Sequence, residues 1–152
     1  MSKTNVWVGS DHGGFDLKRE VLEVLRGDKS YSVCDVGTYH KGSVDYPEYA
    51  LLVTKGVLSD ISYGVNSFGI LICGTGAGMS IVANKQRGIR AVLAHNEYVS
   101  IMGRKHNDAN VLCMGARVIG SSLGLEIVKS FLSVDFEGGR HARRVKQFDD
   151  SF

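Results

Sequence analysis

Short β-branched or apolar runs alternate with stretches of helical period along this whole chain, and that alternation limits its fold more than any other feature. Val6-Trp7-Val8-Gly9 reads as a first strand, followed by a helix with Phe15, Leu17, Val21, Leu22 and Leu25 near helical spacing and a stop near Gly27. Tyr31 to Val36 predicts a second strand ending at Gly37. A polar loop from Thr38 to Asp45 leads into a helix from about Tyr46, with Pro47 suited to its first turn. Phe68 to Cys73 is almost continuously apolar, the pattern of a strand buried on both faces. A helix after Gly78, a strand from Ile89 to Ala94, a helix from Glu97 to about Lys105 and a strand from Val111 to Met114 follow. The spacing then predicts helices over Ser122–Leu132 and Gly139–Phe148. Five strands separated by helices imply βαβ crossovers, hence an α/β protein with a parallel sheet covered on both sides. At 152 residues, with no repeat, low-complexity stretch or linker, residues 1–152 read as a single domain.

Composition excludes several classes of function. Hydrophobic residues at 43% supply a core, so wholesale disorder is ruled out. A net charge of +2 argues against a nucleic-acid or membrane surface and requires any anion site to be a local cluster. The three cysteines form no CxxC pair, so the sequence indicates neither a disulfide framework nor a zinc site, and no metal or cofactor is expected. There is no 18-residue apolar run, and the polar start MSKTN does not resemble a signal peptide; a cytoplasmic protein is the expectation.

Parallel sheets bind ligands at the carboxyl ends of their strands. That edge should carry Asp11-His12, the Gly37–Asp45 loop, Cys73 with its glycines, His95 and Arg117. Cys73-Gly74-Thr75-Gly76-Ala77-Gly78 is neither a dinucleotide fingerprint, since Met79 stands where a glycine is needed, nor a P-loop, since no Gly-Lys-Ser/Thr follows. It places a thiol at a strand end, before small residues and a helix N-terminus whose N–H groups favour negative charge. Such a nest could stabilise an enediolate and a thiolate; the alternative is a buried cysteine beside a tight turn. Asp11-His12-Gly13-Gly14 is a second anion-favouring turn, or simply an N-cap with a surface histidine. Arg140 and Arg144, four apart on one helix face, could grip a phosphate or form a solvated basic tail. Cys34 and Cys113 read as small core residues. His106-Asn107-Asp108 reads as a polar loop before the fifth strand.

Six motifs resemble, in order, those of the type B ribose-5-phosphate isomerases, within the wider ribose/galactose isomerase family. They are Ser10–Phe15 (SDHGGF), Val44–Pro47 (VDYP), Gly69–Gly76 (GILICGTG), Ala83–Lys85 (ANK), His106–Leu112 (HNDANVL) and Phe136–His141 (FEGGRH), and they span nearly the whole chain. The resemblance implies a three-layer α/β/α sandwich with a five-stranded, Rossmann-like sheet in the order 2-1-3-5-4. It implies a metal-independent aldose–ketose isomerase acting as a homodimer or a dimer of dimers. Cys73 would be the base and Thr75 a proton carrier, with the backbone of Gly74, Gly76 and Gly78 holding the enediolate. Asp11 and His106 would serve ring opening and the sugar hydroxyls; Tyr46 and Asn107 would line the sugar site. His12, Arg117, Arg140 and Arg144 would grip the phosphate of the sugar. One branch of the family has a glutamate base where this chain has Met79, which cannot accept a proton. The resemblance therefore implies the cysteine branch. The segment from Leu58 to Ser67 looks longer than usual and receives no role.

Topology adds one expectation. Cys73 ends strand three, whereas His106 precedes strand five, so in a parallel sheet they lie at opposite edges. Strands of five or six residues span roughly 17–20 Å, beyond a histidine's reach. The implied role of His106 therefore requires that it serve a neighbouring chain's Cys73. Two rival readings are an isomerase of a six-carbon sugar phosphate, such as allose or galactose 6-phosphate, and an inactive phosphate-ligand binding module.

Overall fold

The computed structural model describes residues 2–152. Its strands are β1 (Thr4–Ser10), β2 (Tyr31–Asp35), β3 (Ser67–Cys73), β4 (Ala91–Leu93) and β5 (Val111–Gly115). All pairings are parallel, in the order β2-β1-β3-β5-β4, which is the expected order. The helices are α1 (Phe15–Arg26), α2 (Tyr46–Ser62), α3 (Ala77–Asn84), α4 (Glu97–Asn107), α5 (Ser121–Leu132) and α6 (Arg140–Ser151). Among the described residues no helix is long and apolar enough to cross a membrane.

Strand alternation sorts the interior into two cores, because successive side chains point to opposite faces. Val6, Val8, Ile70, Ile72, Leu112 and Met114 pack towards α1 and α5, where Val21, Ile127 and Phe131 are fully buried. Leu71, Cys73, Val111 and Cys113 face the other way, with Val53 and Val57 of α2 and Met79 and Ala83 of α3. The result is a three-layer α/β/α sandwich. Cys73 thus belongs to the α2/α3 side, at the last position of the central strand.

Cys34 departs from expectation: it is exposed, not a core residue. Its register partner is Trp7, on the face that α2 covers, but β2 is the edge strand and lies beyond the helices of that layer. Cys113, on β5, is fully buried, and burial pushes its thiol up. The segment from Leu58 to Ser67 completes α2 and turns into β3. Its Asp60 accepts hydrogen bonds from Asn5 Nδ2 (3.0 Å), Trp7 Nε1 (2.7 Å) and Ser67 Oγ (2.8 Å), tying the end of α2 to the amino ends of β1 and β3.

Candidate active site

At the carboxyl edge the chain leaves β1, β3 and β5 side by side. The Asp11 N–H donates to the Ile72 carbonyl (3.3 Å), and its carboxylate caps the 3-10 turn His12–Gly14 by accepting from Gly14 N–H (3.2 Å). His12 Nδ1 accepts from Val44 N–H (3.2 Å). In the neutral ring the proton then sits on Nε2, leaving a donor for a ligand.

The Cys73 loop is held by its own backbone. Gly76 N–H donates to Cys73 Sγ (3.1 Å) and Ala77 N–H to Thr75 Oγ1 (3.2 Å). Gly76 has φ +79°, and a Cβ there would lie 2.8 Å from the Met114 carbonyl carbon, so the turn requires glycine. The loop then opens α3, whose first-turn N–H groups lack intrahelical partners and favour an anion. Met79, buried in the α2/α3 core, presents no acceptor to the site.

Around this loop stand the other residues of the same edge. Arg117 N–H donates to the Gly74 carbonyl (2.9 Å), and its guanidinium lies against Gly74, where a Cβ would meet Nη1 at 3.2 Å. The Tyr46 ring covers Gly78, where a Cβ would meet it at 2.7 Å. His95 Nε2 lies 3.2 Å from the Thr75 carbonyl. Thr75, Tyr46 and Arg117 are exposed, whereas Cys73 and Asp11 are buried behind them. Asp11, His12, Tyr46, Cys73 to Gly78 and Arg117 are therefore brought together within one chain.

His106, Asn107, Arg140 and Arg144 are not among them. His106 and Asn107 belong to the last turn of α4 rather than to a loop, because the helix continues until Asp108 ends it in the left-handed conformation (φ 47°). The chain then enters β5 at Val111, which pairs with Gly69, four residues before Cys73. At about 3.3 Å per residue that is roughly 13 Å along the strand, the opposite edge of the sheet.

Here α6 meets α4. The His106 and His141 rings stack, with centroids 4.1 Å apart and planes 9° apart. His141 and Val145 are the buried positions of α6, which leaves Arg140 and Arg144 exposed beside them. Burial pushes the His141 imidazole below its usual range; the neighbouring His106, Arg140 and Arg144 add to this and Glu137 opposes it. A cleft of about 400 Å³ adjoins this edge, lined in part by Asn107, Arg90, Asn84 and Phe148.

Ligand atoms of His106, Glu137 and His141 lie within 4.8 Å of one another, and His141 Nε2 is buried without a hydrogen bond. A metal bound by imidazole lies in the ring plane, and two nearly parallel stacked rings do not share one. With Arg140 and Arg144 beside them, this arrangement suits an anion better than a cation.

Sequence reasoning missed the residues that hold these pieces in place. Arg90 bonds Asp108 and Asp149, and the almost fully buried Lys18 pairs with Asp35 (2.6 Å) beneath the Gly37 loop. The only available signal was charge at positions the strand and helix pattern requires to be partly covered.

Residues 6–148 match the family model described as Ribose/Galactose Isomerase. Ribose-5-phosphate isomerase B of Escherichia coli is 46% identical over 138 residues, covering 91% of this chain and 89% of that one. The solved ribose-5-phosphate isomerase B of Clostridium thermocellum superposes with a TM-score of 0.90 at 46% identity, covering 97% of each chain. That of Mycoplasma genitalium, solved with bound ribulose 5-phosphate, gives a TM-score of 0.93 at 38% identity, covering 99% of this chain and 97% of that one. With its β2-β1-β3-β5-β4 sheet and a model match over nearly its full length, this chain belongs to the ribose/galactose isomerase family.

Proposed function

We propose that this protein is a cytoplasmic, single-domain enzyme that interconverts ribose 5-phosphate and ribulose 5-phosphate, with Cys73 as the base. The observation that carries the reading is the Cys73 sulfur itself. It sits at the end of the central strand, accepts the Gly76 N–H at 3.1 Å and lies at the mouth of α3. A sulfur held by a backbone N–H at the mouth of a helix is placed to take a proton from a sugar bound at this edge. Asp11 and His106 assist ring opening of the bound sugar. The Cys73 thiolate then takes the proton from C2 of the open-chain aldose, and the electron pair becomes the C1–C2 double bond. The negative charge moves to the carbonyl oxygen, where the amides of Gly74, Gly76 and Gly78 stabilise it. Thr75 relays a proton between the two sugar oxygens, and the Cys73 thiol returns its proton to C1. No electrons leave the substrate, so the cycle needs no redox cofactor, and the amides take the charge that a Lewis-acid metal would otherwise neutralise. Tyr46 and Asn107 line the sugar, and His12, Arg117, Arg140 and Arg144 hold the phosphate.

His106, Asn107, Arg140 and Arg144 stand at the far edge of the sheet, so a complete site requires a second chain. The functional unit is a homodimer, alone or paired, in which each chain lends its amino edge to its partner's Cys73.

Two experiments test these readings. A coupled assay should show faster turnover of ribose 5-phosphate than of allose 6-phosphate; the reverse order would assign the site to six-carbon sugars. Cys73→Ala and His106→Ala chains, each poorly active alone, should regain activity when refolded together. Mixed dimers hold one intact and one doubly broken site, and random pairing makes half the dimers mixed. Recovery should approach about a quarter of wild-type activity. Mixed dimers confirmed by mass but inactive would place both residues' work within one chain.

A further inference from the structure

The amino-edge group comes from two elements: the end of α4 carries His106 and Asn107, and α6 carries Arg140 and Arg144. Two side chains outside that group reach both elements: Glu137 lies 4.0 Å from Lys105 Nζ and 3.8 Å from His141 Nε2, and Arg90 makes the shorter bonds. Arg90, the last residue before β4, donates from Nε to the Asp108 carbonyl (2.8 Å) and from Nη2 to the Asp108 carboxylate (3.2 Å). Its Nη1 reaches the Asp149 carboxylate (3.2 Å). Asp108 follows His106 and Asn107 directly, and Asp149 lies on α6, five residues after Arg144. Arg104 holds the other side of the junction, donating to Asp108 Oδ1 (3.0 Å), the Ala109 carbonyl (2.7 Å) and the Val134 carbonyl (3.3 Å).

These pairs differ in kind from the ordinary surface pairs of this chain. Lys41–Asp16 and Lys146–Asp150 have side chains more than 60% exposed, and such pairs hold little in place. The Arg90 side chain is 18% exposed and its planar fork is used on three acceptors, so the direction of each bond is set as well as its length.

We infer that Arg90 is a positioning residue, whose fork locks the end of α4 to α6 so that His106, Asn107, Arg140 and Arg144 are offered to the second chain as one rigid group. The inference rests on the shared-site reading above. Misplacement of about 1 Å at a reacting group can cost on the order of a hundredfold in rate, so a lock at this junction has a kinetic consequence.

The mixed dimer gives a readout that a purely structural role would not move. Arg90→Gln is placed either on the Cys73→Ala chain, whose amino edge serves the intact site, or on the His106→Ala chain, whose amino edge serves the dead one. We expect kcat/KM to fall by about tenfold or more in the first arrangement and to stay within about twofold in the second. Equal losses in both, or none in either, overturn the inference while leaving the shared site standing. Failure of the parent mixture to recover activity overturns the shared site and the inference with it. If Arg90→Gln does not fold, the more exposed Asp149→Asn tests the same lock in the homodimer. Freeing α6 alone should raise KM about threefold with kcat within about twofold, and an unchanged KM overturns the inference.

Discussion

The two edges of the sheet are built from different materials. At the carboxyl edge the Cys73 loop is held by backbone N–H groups, by a glycine in a conformation other residues avoid, and by direct abutment of β1 and β5. At the amino edge His106 and the α6 arginines are placed by side chains: a stacked imidazole pair and the Arg90, Arg104, Asp108 and Asp149 cluster. Backbone bonds do not titrate and respond little to salt, whereas ion pairs do both. The Cys73 loop thus rests on contacts that salt and pH disturb little, and the placement of His106, Arg140 and Arg144 rests on contacts that they disturb more.

The largest effect should come from breaking the backbone-held edge at the sulfur proposed as the base. Cys73→Ala should lower kcat by at least about a hundredfold, since a positioned general base supplies about 10²–10⁴-fold. Substrate affinity should change little, and losing one buried heavy atom should cost only about 1 kcal/mol of stability. Iodoacetamide should inactivate the native enzyme more slowly when substrate is bound. More than a tenth of kcat retained, or alkylation without loss of activity, would remove Cys73 from the chemistry.

Breaking the other edge should leave a different signature. Arg144 is exposed on α6, and a charge-assisted hydrogen bond is worth about 1.5–3 kcal/mol. Arg144→Ala should raise KM for ribose 5-phosphate about tenfold or more, and hardly alter turnover of the sugar lacking phosphate. Equal loss on both substrates would mean that the arginine supports the fold or the chemistry instead. Raising the ionic strength should mimic this variant more closely than it mimics Cys73→Ala.

The carboxyl edge was largely legible in the sequence because its design is local. Strand, glycine loop and helix follow one another over Phe68 to Asn84, so a single window shows the thiol, the turn and the helix N-terminus together. The strand order came only through the family resemblance, since periodicity says which segments pair with a core and not which strands are neighbours. The separation of His106 from Cys73 could be read from topology alone. What holds His106 could not: Arg90, Asp108 and Asp149 are scattered over 60 positions and meet only after α4 and α6 have packed. Cys34 misled because an apolar strand pattern does not reveal whether its strand ends at the sheet's rim.

The smallest expected effect separates stability from function at the amino edge. Asp60 lies there but outside the active-site group, accepting from Trp7, Asn5 and Ser67. Partial burial pushes its carboxyl up, but the three hydrogen bonds, that from Trp7 foremost, outweigh it and hold the group below the ordinary carboxylate range. A depressed folded-state pKa means that the ionised form stabilises the fold. That stability is fully present above the unfolded value of about 3.9 and is lost as pH falls through the lower folded value. Asp60→Asn keeps an acceptor but loses the charge. It should lower Tm at pH 7 by about 2–4 °C, equivalent to about 1 kcal/mol once the group's exposure to solvent is allowed for. The gap between variant and wild type should close as the pH falls through the lowered folded-state value, because the wild-type carboxylate then itself becomes protonated. Activity at pH 7 and 25 °C should be unchanged. A Tm difference that persists in acid would assign the loss to altered packing around Trp7. A fall in activity at unchanged Tm would instead show that the α2 end helps to place the His106 group at the amino edge.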